Sequence, residues 1–319
     1  MGTLHTNEAS PETRAEARAE TGELWPRITL VTPVRNAAAY VEQTICSVLG
    51  QRYPNLEYFI VDGGSTDGTV EIIQKYEKEL AGWISEPDGG MYHALNKGFA
   101  QSTGEVMGWI SATDMLHVGG LKVAASVFRD LPSVEWITGY STLFTEEGMT
   151  VWMGACHDLA LVEGLPRWSR YRFLAGANHS IQQESTFWRR SLWEKAGGRV
   201  DDSRRIAADF ELWVRFFRHA QLYTVEALIG GFRAHGDSIG LAEMEACFRV
   251  HDEVVEKELD SVPQGHWIRA FRAVDRRVMK IRKVRYLWRK VVRRALYEWP
   301  GPDWPPVIKF GWQKWVLSR

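Results

Sequence analysis

The chain has 319 residues, 45% apolar and 25% charged, a balance found in globular proteins and not in disordered or collagenous ones. Three scattered cysteines, Cys46, Cys156 and Cys247, form no CxxC pair, which excludes a zinc ribbon or a disulfide scaffold and leads us to expect a reduced, cytoplasmic setting. The net charge of −1 hides a division: residues 1–260 hold 24 Lys+Arg against 37 Asp+Glu, whereas residues 261–319 hold 15 against 3, so an acidic body carries a basic tail.

Residues 1–26 are polar and offer little to bury, so a flexible extension is expected there. They lack the apolar core of an export signal, and no run reaches the ~18–20 apolar residues of a spanning helix, so neither export nor a membrane anchor is expected. From Arg27 strands and helices alternate. ITLVTP (28–33) reads as a strand, a helix ends near Gly50, EYFIVD (57–62) is a second strand, a helix covers 67–80, and AGWIS (81–85) is a third strand. A helix over 91–101, the strand EVMGWIS (105–111), a helix over 119–130 and the strand VEWITGY (134–140) follow. This order predicts an α/β fold with a mostly parallel central sheet flanked by helices, whose ligands bind beyond the carboxyl ends of the strands. Between 141 and 200 no clean period emerges; then come a helix over 207–220 and one strand-like stretch, LYTVEALIGGFRAH (222–235).

In the tail, Trp267, Phe271, Val274, Val278, Ile281, Val284, Trp288, Val291 and Ala295 recur at spacings of three and four among Arg and Lys, which predicts one basic amphipathic helix. The prolines of WPGPDWPP (299–306) stop it, and Trp304, Trp312 and Trp315 then interleave with lysines, a composition suited to a lipid headgroup interface.

Four strand ends carry residues with chemical potential. In VDGGSTDGTV (61–70), Asp62 ends a strand ahead of a glycine pair, where it would accept from a nucleobase N–H, and Asp67 reads more simply as a helix cap. In SEPDGGMYHALNKG (85–98), Asp88 precedes a helix carrying His93, Asn96 and Lys97, so a helix N-terminus and a cation both face a potential anion, although Pro-Asp-Gly-Gly turns are common without function. In WISATD (109–114) a buried strand ends in Ser111, Ala112, Thr113 and Asp114, where one carboxylate holds a divalent cation if water and phosphate oxygens complete its shell, and is otherwise a cap. Asp209 opens an apolar helix as a cap or a general base, and His235 in FRAHGDS is a metal ligand or a surface histidine.

The order of these motifs resembles the family-2 glycosyltransferases with the GT-A fold, and more narrowly the bacterial enzymes of surface-polysaccharide assembly. The matching segments are TPVRNAAAYVEQTICSVLGQRYPNLEYFIVDGGSTDGT (32–69), SEPDGGMYHALNKG (85–98), WISATD (109–114), QQESTFWRRSLWEKAGG (182–198), DFELWVRF (209–216) and FRAHGDS (232–238). The resemblance implies a GT-A domain over 27–240, followed by a helical, basic, Trp-rich segment over 241–319. It implies an inverting transfer of a sugar from a UDP-, GDP- or dTDP-type donor to a saccharide hydroxyl. Carried over by position, Thr32, Pro33 and Asp62 hold the nucleobase and ribose, and Asp88, Asn96, Lys97 and Thr113 complete the donor pocket. Asp114 binds Mn²⁺ or Mg²⁺, with His235 as an added ligand, and Asp209 is the base, with Glu184 or Glu211 next in line. Trp168, Tyr171, His179, Gln183 and Glu184 are acceptor-side candidates. Where relatives commonly carry Asn-Ser-Asp-Asp this chain has Ser111-Ala112-Thr113-Asp114, so the first of two acids has become Thr113.

The resemblance also suggests an acceptor on a polyprenyl diphosphate, with residues 267–319 meeting an anionic membrane at the inner face of the plasma membrane; the competing reading packs the tail on the acidic body or a second subunit. A catalytically inactive GT-A scaffold is the alternative function, motivated by Thr113. Binding of nucleic acid is not expected, because no such fold motif accompanies the basic tail, and TPVRNAAAY lacks the glycine-rich basic loop of a nucleotidyltransferase.

Overall fold

The structure is a computed structural model that describes residues 5–6, 25–154, 170–175, 181–236, 243–263, 265–279, 281, 288, 307–311 and 314–318. In chain order the elements are β1 (His5–Thr6), β2 (Ile28–Val34), α1 (Val41–Leu49), β3 (Leu56–Asp62), α2 (Thr69–Lys75), β4 (Gly82–Ser85), α3 (Met91–Gln101), β5 (Val106–Trp109), β6 (Met115–Leu116) and α4 (Gly120–Asp130). They continue as β7 (Trp136–Thr138), β8 (Ser141–Phe144), β9 (Thr150–Gly154), α5 (Arg170–Leu174), β10 (Thr186–Arg189), α6 (Arg190–Lys195), α7 (Ala208–Phe217), β11 (Leu222–Thr224) and β12 (Gly230–Arg233). The last are α8 (Met244–Leu259), α9 (Gly265–Met279), β13 (Val307–Phe310) and β14 (Trp315–Ser318).

The central sheet runs β1-β4-β3-β2-β5-β10-β7-β11. Strands β4, β3, β2 and β5 are parallel, and β10 runs against both its neighbours. Side chains alternate between two buried faces, as a pleated strand requires. Ile28, Leu30, Tyr58 and Ile60 point to the layer of α1 and α4, and Val31, Phe59 and Val61 to the layer of α3 and α7. Helix α1 buries Val41, Thr44, Ile45 and Val48 on one stripe. Helix α3 lies close on β2 because Gly98 faces Val31, where an added Cβ would stand 2.5 Å from a valine methyl. Strand order reverses between β3 and β5 around β2, which puts the crevice at the ends of β2, β3 and β5.

Four tryptophans brace the α3/α7 face. Trp213 of α7 stacks on Trp109 of β5 at 5.7 Å and 7°, and against Trp136 at 5.7 Å, while Trp188 meets Trp109 edge-on at 5.3 Å. Trp109 stands at the strand end that leads to Asp114, and Trp213 one helical turn after Asp209, so this stack ties the two segments together.

Several sequence expectations change. His5–Thr6 pair with Trp83 and Gly82 at the sheet edge, and Trp25 packs edge-on against Tyr53, so parts of the 1–26 extension join the fold. LYTVEALIGGFRAH is two strands in two sheets: the chain turns where Ala227 N–H donates to Val225 O at 2.8 Å, and β12 joins the small sheet β6-β12-β8-β9.

The tail is also rearranged. Helix α9 ends at Met279 and Ile281 is not helical; Val284, Val291, Ala295, Trp304 and Trp312 lie outside the described residues. The helix faces the body through Ile268 and Arg272, not through the apolar stripe, because Asp252, Glu256 and Asp260 on and just after α8 pair with Arg269, Arg272 and Arg276. Trp267, Val274 and Ile281 are left exposed at 64%, 46% and 53%. Trp315 is no interfacial anchor: it is buried, with its indole N–H on Ser126 Oγ at 2.7 Å, and Ile308 of the same hairpin is fully buried beside Val225. No helix among the described residues is long and apolar enough to cross a membrane.

Candidate active site

The ends of β2 and β3 are laced by short polar side chains. Ser65 Oγ accepts from Asn36 N–H at 2.7 Å, Asn36 Oδ1 accepts from Thr66 N–H at 2.9 Å, and Asp67 accepts from Ala38 N–H and Thr69 N–H, so Asp67 is the cap its plainer reading gives. Asp62 is buried. Its Oδ2 accepts from Gly64 N–H, Ser65 N–H and Ser85 Oγ at 3.1, 3.0 and 2.6 Å, and its Oδ1 from Ser65 Oγ. Four donors reach the carboxylate, three of them on Oδ2, so Asp62 faces the turn that it shapes. Thr32 is likewise turned away, into the core, where its hydroxyl meets Tyr58 Oη at 2.9 Å. Pro33 is buried in β2, two residues past the stretch that pairs with β5, so its missing N–H leaves no ladder bond open on that side. Asp88 does face the crevice: its carboxylate crosses Gly63, where an added Cβ would stand 3.0 Å from Asp88 Oδ1.

On α3, Lys97 is paired with Glu86 at 2.7 Å, and both ends of the Asn96 amide are held by the loop ahead of α7: its Nδ2 donates to Val200 O at 2.9 Å and Asp202 Oδ2 at 3.2 Å, and its Oδ1 accepts from Val200 N–H. Both therefore brace the loop and the turn around the crevice. Tyr92 is the residue the sequence did not single out. Its phenol sits at the amides of Ala208 and Asp209, which donate to it, at the start of α7.

Asp114 is buried at the end of β5. Thr44 Oγ1 lies 2.8 Å from Ala112 O and 2.7 Å from Asp114 O, which fixes the turn, and Thr113 is half-buried beside it. Oδ1 of Asp114 accepts from Arg233 N–H at 2.8 Å. Glu184 comes alongside because β12 passes so close to it that a Cβ on Gly230 would stand 2.1 Å from Glu184 O. The two buried carboxyl groups stand close enough to act on each other's charge. Burial pushes Asp114 up to about 6 against the pull of its donors, and burial together with the charge of Asp114 raises Glu184 well above the usual carboxylate range. Glu184 thus stands beside Asp114, and the buried amide of Gln183 closes the Trp109 carbonyl. Tyr171 lies on α5, and Trp168 and His179 lie outside the described residues.

Asp209 sits in the first turn of α7, entered through Ala207 in a left-handed conformation at φ 56°. Burial raises its pKa against the helix-start amides of Phe210 and Asp209 itself. Its charge also reaches Glu184, Tyr92 and Cys247. Glu211, one of the two fallback bases, is held in a two-pronged pair with Arg215 at 2.9 Å. His235 is half-buried, its ring 5.0 Å from Tyr40, and its Nδ1 is buried without a hydrogen-bond partner among the described residues.

Among the described residues no group of three or more His, Cys, Asp or Glu side chains is arranged to hold a metal ion. Asp114, a hard carboxylate, and His235, two residues past the Arg233 that binds Asp114 and with an orphaned Nδ1, are donors that would suit Mn²⁺ or Mg²⁺ with water and phosphate oxygens in the remaining positions.

A family model described as Glycosyl transferase family 2 matches residues 29–136. An uncharacterized glycosyltransferase of Mycobacterium tuberculosis is 30% identical over 212 residues, 66% of this chain and 76% of that protein. An uncharacterized glycosyltransferase of Rickettsia typhi is 27% identical over 215 residues; the chain spans 64% of its length. A Bacillus subtilis protein, TuaG, named as a putative teichuronic acid biosynthesis glycosyltransferase, is 32% identical over 39% of this chain and 50% of its own. Among solved structures, S. aureus TarS in complex with UDP-GlcNAc superimposes with a TM-score of 0.58 at 17% identity, over 73% of this chain and 66% of that one, a likeness of fold.

Proposed function

Because the chain belongs to glycosyltransferase family 2, with the GT-A α/β fold, we propose that it transfers a sugar from a nucleoside diphosphate to a saccharide hydroxyl with inversion. The observation that carries this reading is the convergence of three buried, raised carboxyls, Asp114 with Glu184 beside it at a strand end and Asp209 at a helix start, whose charge reaches Glu184, braced by the Trp109–Trp213 stack.

Asp209 takes the proton of the acceptor hydroxyl as its oxygen bonds to the anomeric carbon. The bond to the diphosphate breaks on the opposite face, and its electron pair leaves with the nucleotide. Burial makes Asp209 a stronger base than an exposed aspartate, and a general base of this kind contributes ~10²–10⁴-fold. Tyr92, through the amides of Ala208 and Asp209, holds the helix start where the hydroxyl must arrive. At the other end Asp114, with His235, would hold Mn²⁺ or Mg²⁺, which supplies Lewis-acid neutralisation of the diphosphate when bound. Asp88 and the Gly63–Ser65 turn shaped by Asp62 line the donor side. Proton NMR of the product formed from a sugar nucleotide tests inversion: an α-linked donor should give a β-linked product, and retention of configuration would exclude a single displacement.

The relatives named for teichuronic acid and for complexes with UDP-GlcNAc and UDP favour a surface-polysaccharide acceptor and a UDP-type donor, with GDP and dTDP sugars as competitors. We place the acceptor on a lipid carrier at the inner face of the membrane. The support is the outward apolar face of α9, with Trp267 and Val274 exposed above arginines held by α8. Truncation at Asp260 would remove the buried Ile268, Ile308 and Trp315, so point changes are the proper probe. Trp267→Ser with Val274→Ser should abolish flotation with anionic phosphatidylglycerol vesicles while leaving the thermal midpoint unchanged; equal flotation of variant and wild type would remove the membrane assignment.

A further inference from the structure

The side chain of Arg233 is fully buried, yet its Nε and Nη2 find no hydrogen-bond acceptor among the described residues. A guanidinium cannot shed its charge, and leaving its donors unmade in a water-free setting costs several kcal/mol. Only Nη1 is engaged, on Glu146 O at 3.0 Å, and the guanidinium carbon lies 5.3 Å over the Tyr40 ring. The same residue's backbone N–H holds Asp114 Oδ1 at 2.8 Å. Among the described residues the guanidinium is met by the exposed turn around Glu146 and the half-buried Tyr40, joined by a Tyr40 Oη to Glu146 Oε1 bond of 2.6 Å. A ligand that reaches the Nε–Nη2 edge has to displace part of what covers this fully buried side chain.

We propose that Arg233 is a leaving-group clamp: its free Nε–Nη2 edge takes two oxygens of a nucleoside diphosphate beside Asp114. The inference rests on the donor reading above and deepens it by naming a cation of the protein itself. A planar fork with two parallel donors matches a phosphate, and the strand that carries it is already bonded to the carboxylate at which that phosphate would meet a metal. It also gives meaning to Thr113. One carboxylate next to one guanidinium presents less negative charge to a dianionic ligand than two carboxylates would, so part of the diphosphate charge is met without a metal.

The test is calorimetric titration in EDTA with UDP, GDP and dTDP, each against its monophosphate. Wild type should favour one diphosphate over its monophosphate by at least about tenfold, and Arg233→Met should erase that preference. Arg233→Lys should fall between them. An Arg233→Met protein that keeps the full diphosphate preference would overturn the clamp. If that variant fails to fold, wild type alone decides: inorganic pyrophosphate in EDTA should raise its thermal midpoint, and no shift at saturating pyrophosphate would overturn the clamp equally. Absence of binding by any nucleotide to wild type, with Mn²⁺ as well as in EDTA, would instead remove the donor reading on which the clamp rests.

Discussion

Asp209→Asn should lower the transfer rate by about 10³-fold or more while leaving the affinity for the nucleotide unchanged. Asn fills the same space and keeps an oxygen at the helix start, so neither the Tyr92 contacts to the amides of Ala208 and Asp209 nor the Trp213 stack is disturbed. What it lacks is the ability to take a proton. A general base is worth ~10²–10⁴-fold, and the loss should fall on kcat, with KM for the donor held, because the interaction exists only as the hydroxyl attacks. The pH profile separates this from a structural effect. Burial raises Asp209, so wild-type kcat should fall on the acid side with an apparent pKa above that of an ordinary aspartate, and the residual rate of the variant should lose that limb. Near-wild-type turnover by Asp209→Asn would remove it as the base. Glu184 would then be the remaining candidate, because Glu211 is tied to Arg215.

Asp114→Asn should abolish transfer through the other end of the displacement, and it should also remove the metal dependence of nucleotide binding that Asp209→Asn keeps. Its effect on stability has a definite sign. In the unfolded chain Asp titrates near ~4, whereas in the fold Asp114 titrates at about 6 and Glu184 well above its ordinary value, both through burial first. The folded state therefore binds more protons than the unfolded one across that interval. The stability linked to these groups is fully present below about pH 4 and is lost as pH rises through 6 and beyond. In the metal-free protein at pH 8 the variant should consequently melt at a higher temperature than wild type, and the gap should close as pH falls toward 4. A variant that melts lower at pH 8, or a gap that does not vary with pH, would contradict the two buried, raised carboxyls. This is the behaviour of a group kept for function at some expense of stability.

The alternation of strand and helix was readable almost throughout because buried parallel strands leave continuous apolar runs and helices leave a 3.6-residue period. The helix expected over 91–101 is Met91–Gln101, and Asp114 and Asp209 stand where a strand end and a helix start were expected to put them. The fate of Thr32 was partly legible, since it shares parity with Ile28 and Leu30 and so faces the Tyr58 layer. What local patterns could not give were the long-range pairings. The nearness of Glu184 to Asp114 depends on β12 passing within reach of Glu184 at Gly230, and the orphaned edge of Arg233 depends on the β8–β9 turn of its own sheet, nearly ninety residues away in sequence. The tail misled for a related reason. A basic helix with an apolar stripe reads as one long element facing a membrane or the body, and its own pattern does not reveal the acids on and just after α8 that claim its arginines and leave Trp267 and Val274 exposed. Trp315 in turn read as interfacial because nothing local reveals the Ser126 hydroxyl that receives its indole.

The account turns on a nucleoside diphosphate sitting between Asp88 and Asp114. Calorimetric titration of wild type and Asp114→Ala with UDP, GDP, dTDP and CMP, in Mn²⁺ and again in EDTA, tests it most directly. One nucleoside diphosphate should bind wild type at least about tenfold more tightly in Mn²⁺ than in EDTA, and Asp114→Ala should lose that difference. Failure of every nucleotide to bind wild type in Mn²⁺ would contradict the account and leave the fold as a scaffold without donor chemistry.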